Sequence, residues 1–117
     1  MKIDIQTRNF SLTDTQHNHA EWRLRFALSC CDNYIQRVVM RLSDINGPRS
    51  VAYKCCHLRV VLPGLFDVVV KDTEADLYAA IDRTTDRARR TVMRRIVRQQ
   101  TLLRRPSDRT GRAKVYT

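Results

Sequence analysis

Arginine recurs between Asp76 and Arg98 at positions 83, 87, 90, 94 and 98. Steps of three and four residues gather Arg83, Arg87, Arg90, Arg94 and Arg98 on one side of a helix. Leu77, Ile81, Thr84, Ala88, Val92, Ile96 and Gln99 share the opposite side. The segment is therefore predicted to be a long amphipathic helix with a stripe of positive charge along its back. Like charges at these spacings cost a helix about 0.2 to 0.5 kcal/mol per pair, and the sequence offers almost no interleaved acid to relieve them. A solvated face usually mixes signs. The stripe points to a polyanion, whose condensed counterions would be released on binding; a merely solubilising basic surface is the alternative.

Other reactive residue types are less suggestively placed. Four cysteines form two adjacent pairs, Cys30-Cys31 and Cys55-Cys56. Neighbours on a strand point to opposite faces and neighbours on a helix diverge by about 100°, so neither pair is expected to offer two thiolates to one metal. One cysteine of each pair could meet in the core as a small hydrophobe; a metal or redox role is the alternative. His17 and His19 are about 200° apart on a helix, His57 stands alone on a strand, and Asp72, Glu74 and Asp76 are expected to serve helix capping. No catalytic constellation results, so neither an enzyme nor a small-molecule substrate, metal or other cofactor is expected. His19, Trp22, Phe26 and Cys30 make a second line on the first predicted helix. Trp22 and Phe26 could stack on nucleotide bases, contact a protein partner, or pack against a tail or neighbouring subunit.

A length of 117 residues suits one domain with one core. Lysine plus arginine number 22 against 12 acids, giving a net charge of +10, which favours nucleic acid or an anionic membrane surface. The bias toward arginine favours planar, multidentate phosphate recognition. No apolar run approaches the roughly 20 residues that span a bilayer, and Met1 to Phe10 alternates where a secretory signal would be continuously apolar. A cytoplasmic location without membrane association is expected.

Lys2 to Thr7 alternates as a strand with Ile3 and Ile5 inward. Thr13 with Gln16 is a capping-box pattern opening a helix whose buried stripe is Ala20, Leu24, Ala27, Leu28 and Cys31. Ile35 to Leu42 and Val51 to Leu62 read as strands separated by the break Asn46-Gly47-Pro48. Pro63-Gly64 is predicted to turn a hairpin into a strand from Leu65 to Lys71, with Phe66, Val68 and Val70 on one face. A second capping box, Thr73 to Asp76, is expected to start the arginine helix. The fold class is α+β: one β-α-β-β-β-α domain over residues 1–100, a four-stranded sheet with both helices on one face. Residues 101–117 are expected to form a flexible basic tail. Arg23, on the first helix, should then lie beside the stripe and widen it.

The sequence Ile3-x-Ile5-x-x-Arg8, Leu12-Thr13-Asp14, Leu62-Pro63-Gly64 and Asp76-Leu77-Tyr78-Ala79-Ala80-Ile81-Asp82 before a basic helix resembles the ribosome hibernation-promoting factor family. That family includes ribosome-associated inhibitor A and is also called sigma-54 modulation protein. The resemblance implies the same β-α-β-β-β-α fold. It also implies binding to the small ribosomal subunit and its 16S rRNA, in the channel used by mRNA and tRNA, which holds ribosomes inactive under stress or in stationary phase. By resemblance, Arg23, Arg87, Arg90 and Arg94 match basic positions of the family's two helices, and Tyr78 matches its tyrosine as an rRNA contact or a packed ring. Arg83, Arg89, Arg95 and Arg98 extend the basic character by charge alone. Gln16, His19, Trp22, Arg25 and the cysteine pairs depart from the family pattern, and the second domain by which long members pair ribosomes is not expected within these 117 residues. A general double-stranded-RNA binding module without ribosome preference is the alternative reading.

Overall fold

The computed structural model describes residues 1–46 and 52–108, with the side chains of 46, 52 and 102–108 left aside. Its elements are β1 (Lys2–Arg8), α1 (Asp14–Leu28), a 3-10 segment (Ser29–Tyr34), β2 (Arg37–Asn46), β3 (Ala52–Val61), β4 (Val68–Glu74) and α2 (Leu77–Asp108). The sheet order is β1-β2-β3-β4, with β1 and β2 parallel and the other pairs antiparallel. The parallel pair needs the crossover that α1 and the 3-10 segment supply. Both helices pack side by side on one sheet face, as the sequence pattern predicts.

Period-two alternation decides which sheet face is covered. Val38, Met40 and Leu42 of β2 and Cys56, Leu58 and Val60 of β3 are fully buried against Leu24 and Leu28 of α1 and Ile81 and Val92 of α2. Slipping any strand by one residue would send this set into solvent, so the register is strongly specified. Ile3 and Ile5 pack at the margin of the same core.

Local chemistry sets the helix starts. Thr13 caps α1: its hydroxyl accepts from the Gln16 amide at 3.2 Å, and the Gln16 side chain accepts from the Thr13 amide at 3.0 Å. At α2 the expected cap moves. Thr73 still belongs to β4, where Cys55 pairs with it and Lys54 pairs with Glu74. Asp76 is the capping residue, its carboxylate accepting from the Ala79 amide at 3.2 Å.

The β3-β4 connection also differs from expectation. Leu62-Pro63-Gly64-Leu65 closes a turn through Leu65 N–H to the Leu62 carbonyl at 2.9 Å, with Gly64 at φ 82° where a second central residue needs a left-handed backbone. The strand then begins at Val68, and Phe66 is 87% exposed in place of sharing the face of Val68 and Val70. Arg95 explains the delay, since its guanidinium donates to the carbonyls of Phe66 at 2.8 Å and Asp67 at 2.9 Å.

Two further expectations meet the limits of the described chain. Gly47 and Pro48 lie outside the described residues, although Asn46 closes β2. The helix continues past position 100 to Asp108, and the rest of the expected tail, 109–117, lies outside the described residues.

Candidate nucleic-acid interface

Burial of Leu77, Ile81, Thr84, Ala88, Val92 and Ile96 turns one side of α2 to the sheet and aims Arg83, Arg87, Arg90, Arg94 and Arg98 outward, all exposed. The predicted ridge is therefore present as a geometric feature. Its two halves differ in electrostatics.

In the first half the charge is partly neutralised. Arg83 lies 3.3 Å from the Asp72 carboxylate and 2.8 Å from Glu74. Arg87 donates to the Lys71 carbonyl at 3.2 Å and stands 3.8 Å from Asp72. Asp72 and Glu74 thus tie the end of β4 to α2 and do not cap the helix, as the sequence reading had them do.

In the second half Arg90, Arg94 and Arg98 meet no acid among the described residues. Among the described residues the one side-chain hydrogen bond here is weak, from Arg94 Nη2 to the Thr91 hydroxyl at 3.5 Å. With a rise of 1.5 Å per residue, the three guanidinium groups are distributed over about 12 Å of helix. That is a short, open row of fork-shaped donors suited to phosphate oxygens.

Arg23 is placed differently from expectation. It sits between the helices, with Nε donating to Asp82 Oδ1 at 2.9 Å and Nη2 to Asp86 Oδ1 at 2.8 Å, its side chain only 17% exposed. Burial alone would lower its pKa. The hydrogen bonds and charges of Asp86 and Asp82 outweigh that and hold it above the ordinary value. Arg23 joins α1 to α2 and does not extend the ridge as a free cation.

His19 joins the same clamp, its Nε2 lying 3.0 Å from Asp82 Oδ1. Tyr78, half-buried, meets the His19 ring of α1 edge-on at 4.8 Å between centroids and 83° between planes. Asp82 and Asp86, which hold this clamp, are not among the residues that the sequence pattern singles out for the surface. Their four-residue spacing on α2 was a visible signal, but their partner is about 60 residues away in the chain.

The remaining candidates fall outside the ridge. Arg95 is committed to the Phe66 and Asp67 carbonyls. Trp22 and Phe26 stack at 5.3 Å and 13°, and are 58% and 65% exposed. Cys30 Sγ lies 3.6 Å from Cys31 Sγ. The two thiols meet although the 3-10 backbone of this segment separates neighbouring residues by about 120°, so the expected divergence of adjacent thiols does not hold for this pair. Burial, then the Cys30 contact, pushes the Cys31 thiol up to about 11, while Arg89 pulls the other way. Among the described residues no three His, Cys, Asp or Glu side chains form a group that could hold a metal, and no helix is long and apolar enough to cross a membrane.

Comparison with known proteins bears on what this surface is for. The model of the Sigma 54 modulation protein / S30EA ribosomal protein family matches residues 3–100. Among solved structures, the Protein Y N-terminal domain of Thermus thermophilus is 32% identical, with a TM-score of 0.62 over 80% of this chain and 98% of that one. A ribosomal subunit interface protein from Coxiella burnetii shares the fold at 18% identity, with a TM-score of 0.69 over 80% of this chain and 96% of that one. A comparison with curated proteins finds no match. The family match runs from the first strand through the arginine ridge of α2, and the chain belongs to the Sigma 54 modulation protein / S30EA ribosomal protein family.

Proposed function

We propose that this protein is a ribosome-associated hibernation factor that binds the small ribosomal subunit through 16S rRNA and blocks the channel used by mRNA and tRNA. Family membership supports the ribosomal partner. The observation that carries the mode of binding is the open row Arg90, Arg94 and Arg98, exposed and without acid partners among the described residues. Arg83 and Arg87 extend the row at its β4 end, where they would exchange carboxylate contacts for phosphate contacts at a lower net gain. Arg23 and Tyr78 support the surface from beneath by fixing how α1 lies against α2.

The mechanism is occlusion. RNA grooves give side chains little access to base edges, so a rigid surface with correctly spaced cations reads shape and phosphate position. Occupying phosphate-lined sites in the channel excludes the phosphates of mRNA and tRNA without any chemical step. Such a factor needs no cofactor or small-molecule substrate, is not an enzyme, and works in the cytoplasm, in stressed or stationary cells.

Sucrose-gradient sedimentation with purified small subunits tests the proposal. The protein is expected to travel with the subunit and to stay there when excess unrelated RNA duplex is added. Complete displacement by that duplex would favour a general double-stranded-RNA binding module. Absence from the subunit fraction at low salt would reject both.

A further inference from the structure

The uncovered side of the sheet carries its own set of cations. Alternation that buries Val38, Met40 and Leu42 turns Arg37 and Arg41 of β2 to the opposite side. His57 and Arg59 of β3 and Lys71 of β4 face the same way. Register places Gln6, Arg41, His57 and Lys71 in a single row across all four strands. At about 4.8 Å per strand, Arg41 and Lys71 are about 10 Å apart.

Pairing on this face is sparse. Arg59 is bound to Asp67 at 2.6 Å. Among the described residues Arg41 hydrogen-bonds only the neutral Gln6, at 3.4 and 3.5 Å. Arg37 and Lys71 have no acid partner among the described residues. Asp4, the acid of the shallow groove shared by Arg37, Arg41, His57 and Arg59, accepts from Gln6 at 3.0 Å. By contrast Asp72, Glu74, Asp82 and Asp86 all serve cations on the helix side.

We propose that this open sheet face is a second RNA-backbone site, so that one molecule grips rRNA from two opposite sides. The inference rests on the ribosomal reading above and adds a second contact to it. A flat face whose cations stand roughly perpendicular to the sheet, with Arg37, Arg41 and Lys71 unneutralised, is complementary to a phosphate backbone lying across the strands. An anionic membrane is a poorer fit, since the apolar groups among the cations, Val39, Val61 and Val69, are all short and none is large enough to insert deeply. Two-sided contact would make occlusion depend on both RNA elements being present together, as in an assembled subunit.

The test replaces Arg37, Arg41 and Lys71 by threonine, which keeps strand propensity while removing charge. Fluorescently labelled wild-type and variant proteins are titrated with purified small subunits at several salt concentrations, with urea midpoints measured in parallel. Affinity at physiological salt is expected to fall at least tenfold, and the slope of log K against log salt to shrink by about 2 to 3. If the triple variant proves unstable, Arg41→Glu alone should still weaken binding at unchanged midpoint. A photo-crosslinking residue at position 57 should label rRNA at sites different from those reached from position 94.

Wild-type affinity and slope in the triple variant would overturn the inference and leave the helix-ridge reading standing. So would crosslinks from position 57 to ribosomal protein only, or a loss confined to binding of phosphatidylserine vesicles. A wild-type protein that does not bind small subunits at all would instead overturn the ribosomal reading itself.

Discussion

Arg23 and Arg90 are both arginines on the helix side, yet they do opposite work. Arg23 is held by Asp82 and Asp86 with its side chain mostly covered, whereas Arg90 stands exposed. Hydrogen bonds to charged groups contribute about 1.5 to 3 kcal/mol, discounted here because both carboxylates are substantially solvated. Arg23→Ala is therefore expected to lower stability by about 1 to 2 kcal/mol, read as a fall in the urea midpoint. Arg90→Ala should stay within about 0.5 kcal/mol of wild type and show its effect in subunit affinity. Equal affinity losses at equal midpoints would contradict this division. A second residue-scale prediction concerns Cys56, fully buried in the core. Burial pushes its thiol from 9.0 up to about 12, with the Thr84 hydroxyl pulling the other way. Below pH 9 the folded and unfolded chains both hold this proton. Between about 9 and 12 only the folded chain does, so stability is lost as pH rises, by about 1.4 kcal/mol per unit. Urea midpoints measured from pH 8 to 10.5 should fall less steeply for Cys56→Ala than for wild type.

Elements show which signals are local and which are not. The cap of α1 was legible because donor and acceptor lie three residues apart, Thr13 and Gln16. The cap of α2 was misread, since Thr73 to Asp76 has the same local pattern while β3 pairing carries β4 through Glu74. Asp76→Ala is accordingly expected to cost about 1 kcal/mol, and Thr73→Ala, in an exposed strand position, under about 0.5 kcal/mol. Thermal melts of the two variants would reveal a reversed order if the cap lay at Thr73. The element order, the buried stripes and the ridge were readable because periodicity of 2.0 and 3.6 residues is imposed by one core. Phe66 and Arg23 were not, because each is decided by a partner distant in the chain: Arg95 for the loop carbonyls, Asp82 and Asp86 for the clamp. Arg83 was not either, although Asp72 and Glu74 lie only 11 and 9 residues before it, because β3 pairing carries β4 through Glu74 and so places these acids beside α2. Hydrophobic patterning gives the face of an element, and says nothing of which acid will stand opposite a given arginine.

At the scale of the molecule, a net charge of +10 is distributed unevenly. Acids are drawn to the seams, where α1 meets α2 and α2 meets β4, leaving the second half of α2 as an open cationic row. Removing charge at the seam and removing it from the row should therefore have different consequences. Arg90, Arg94 and Arg98 changed together to alanine should leave the urea midpoint nearly unchanged while weakening subunit binding at every salt concentration. If each neutralises one phosphate, the slope of log K against log salt shrinks by about 2 to 3. Arg83 and Arg87 changed together should behave in the reverse sense. The Asp72 carboxylate, mostly buried at the β4 edge, would lose both neighbouring cations, so stability falls while the slope changes by less than about 1, because these two groups were already partly neutralised. Titrations of labelled protein with small subunits between about 50 and 200 mM salt separate the two patterns. A seam variant with the larger slope change would mean that bound RNA displaces Asp72 and Glu74 from their arginines, and the row would then have to be redrawn from Arg83 to Arg98.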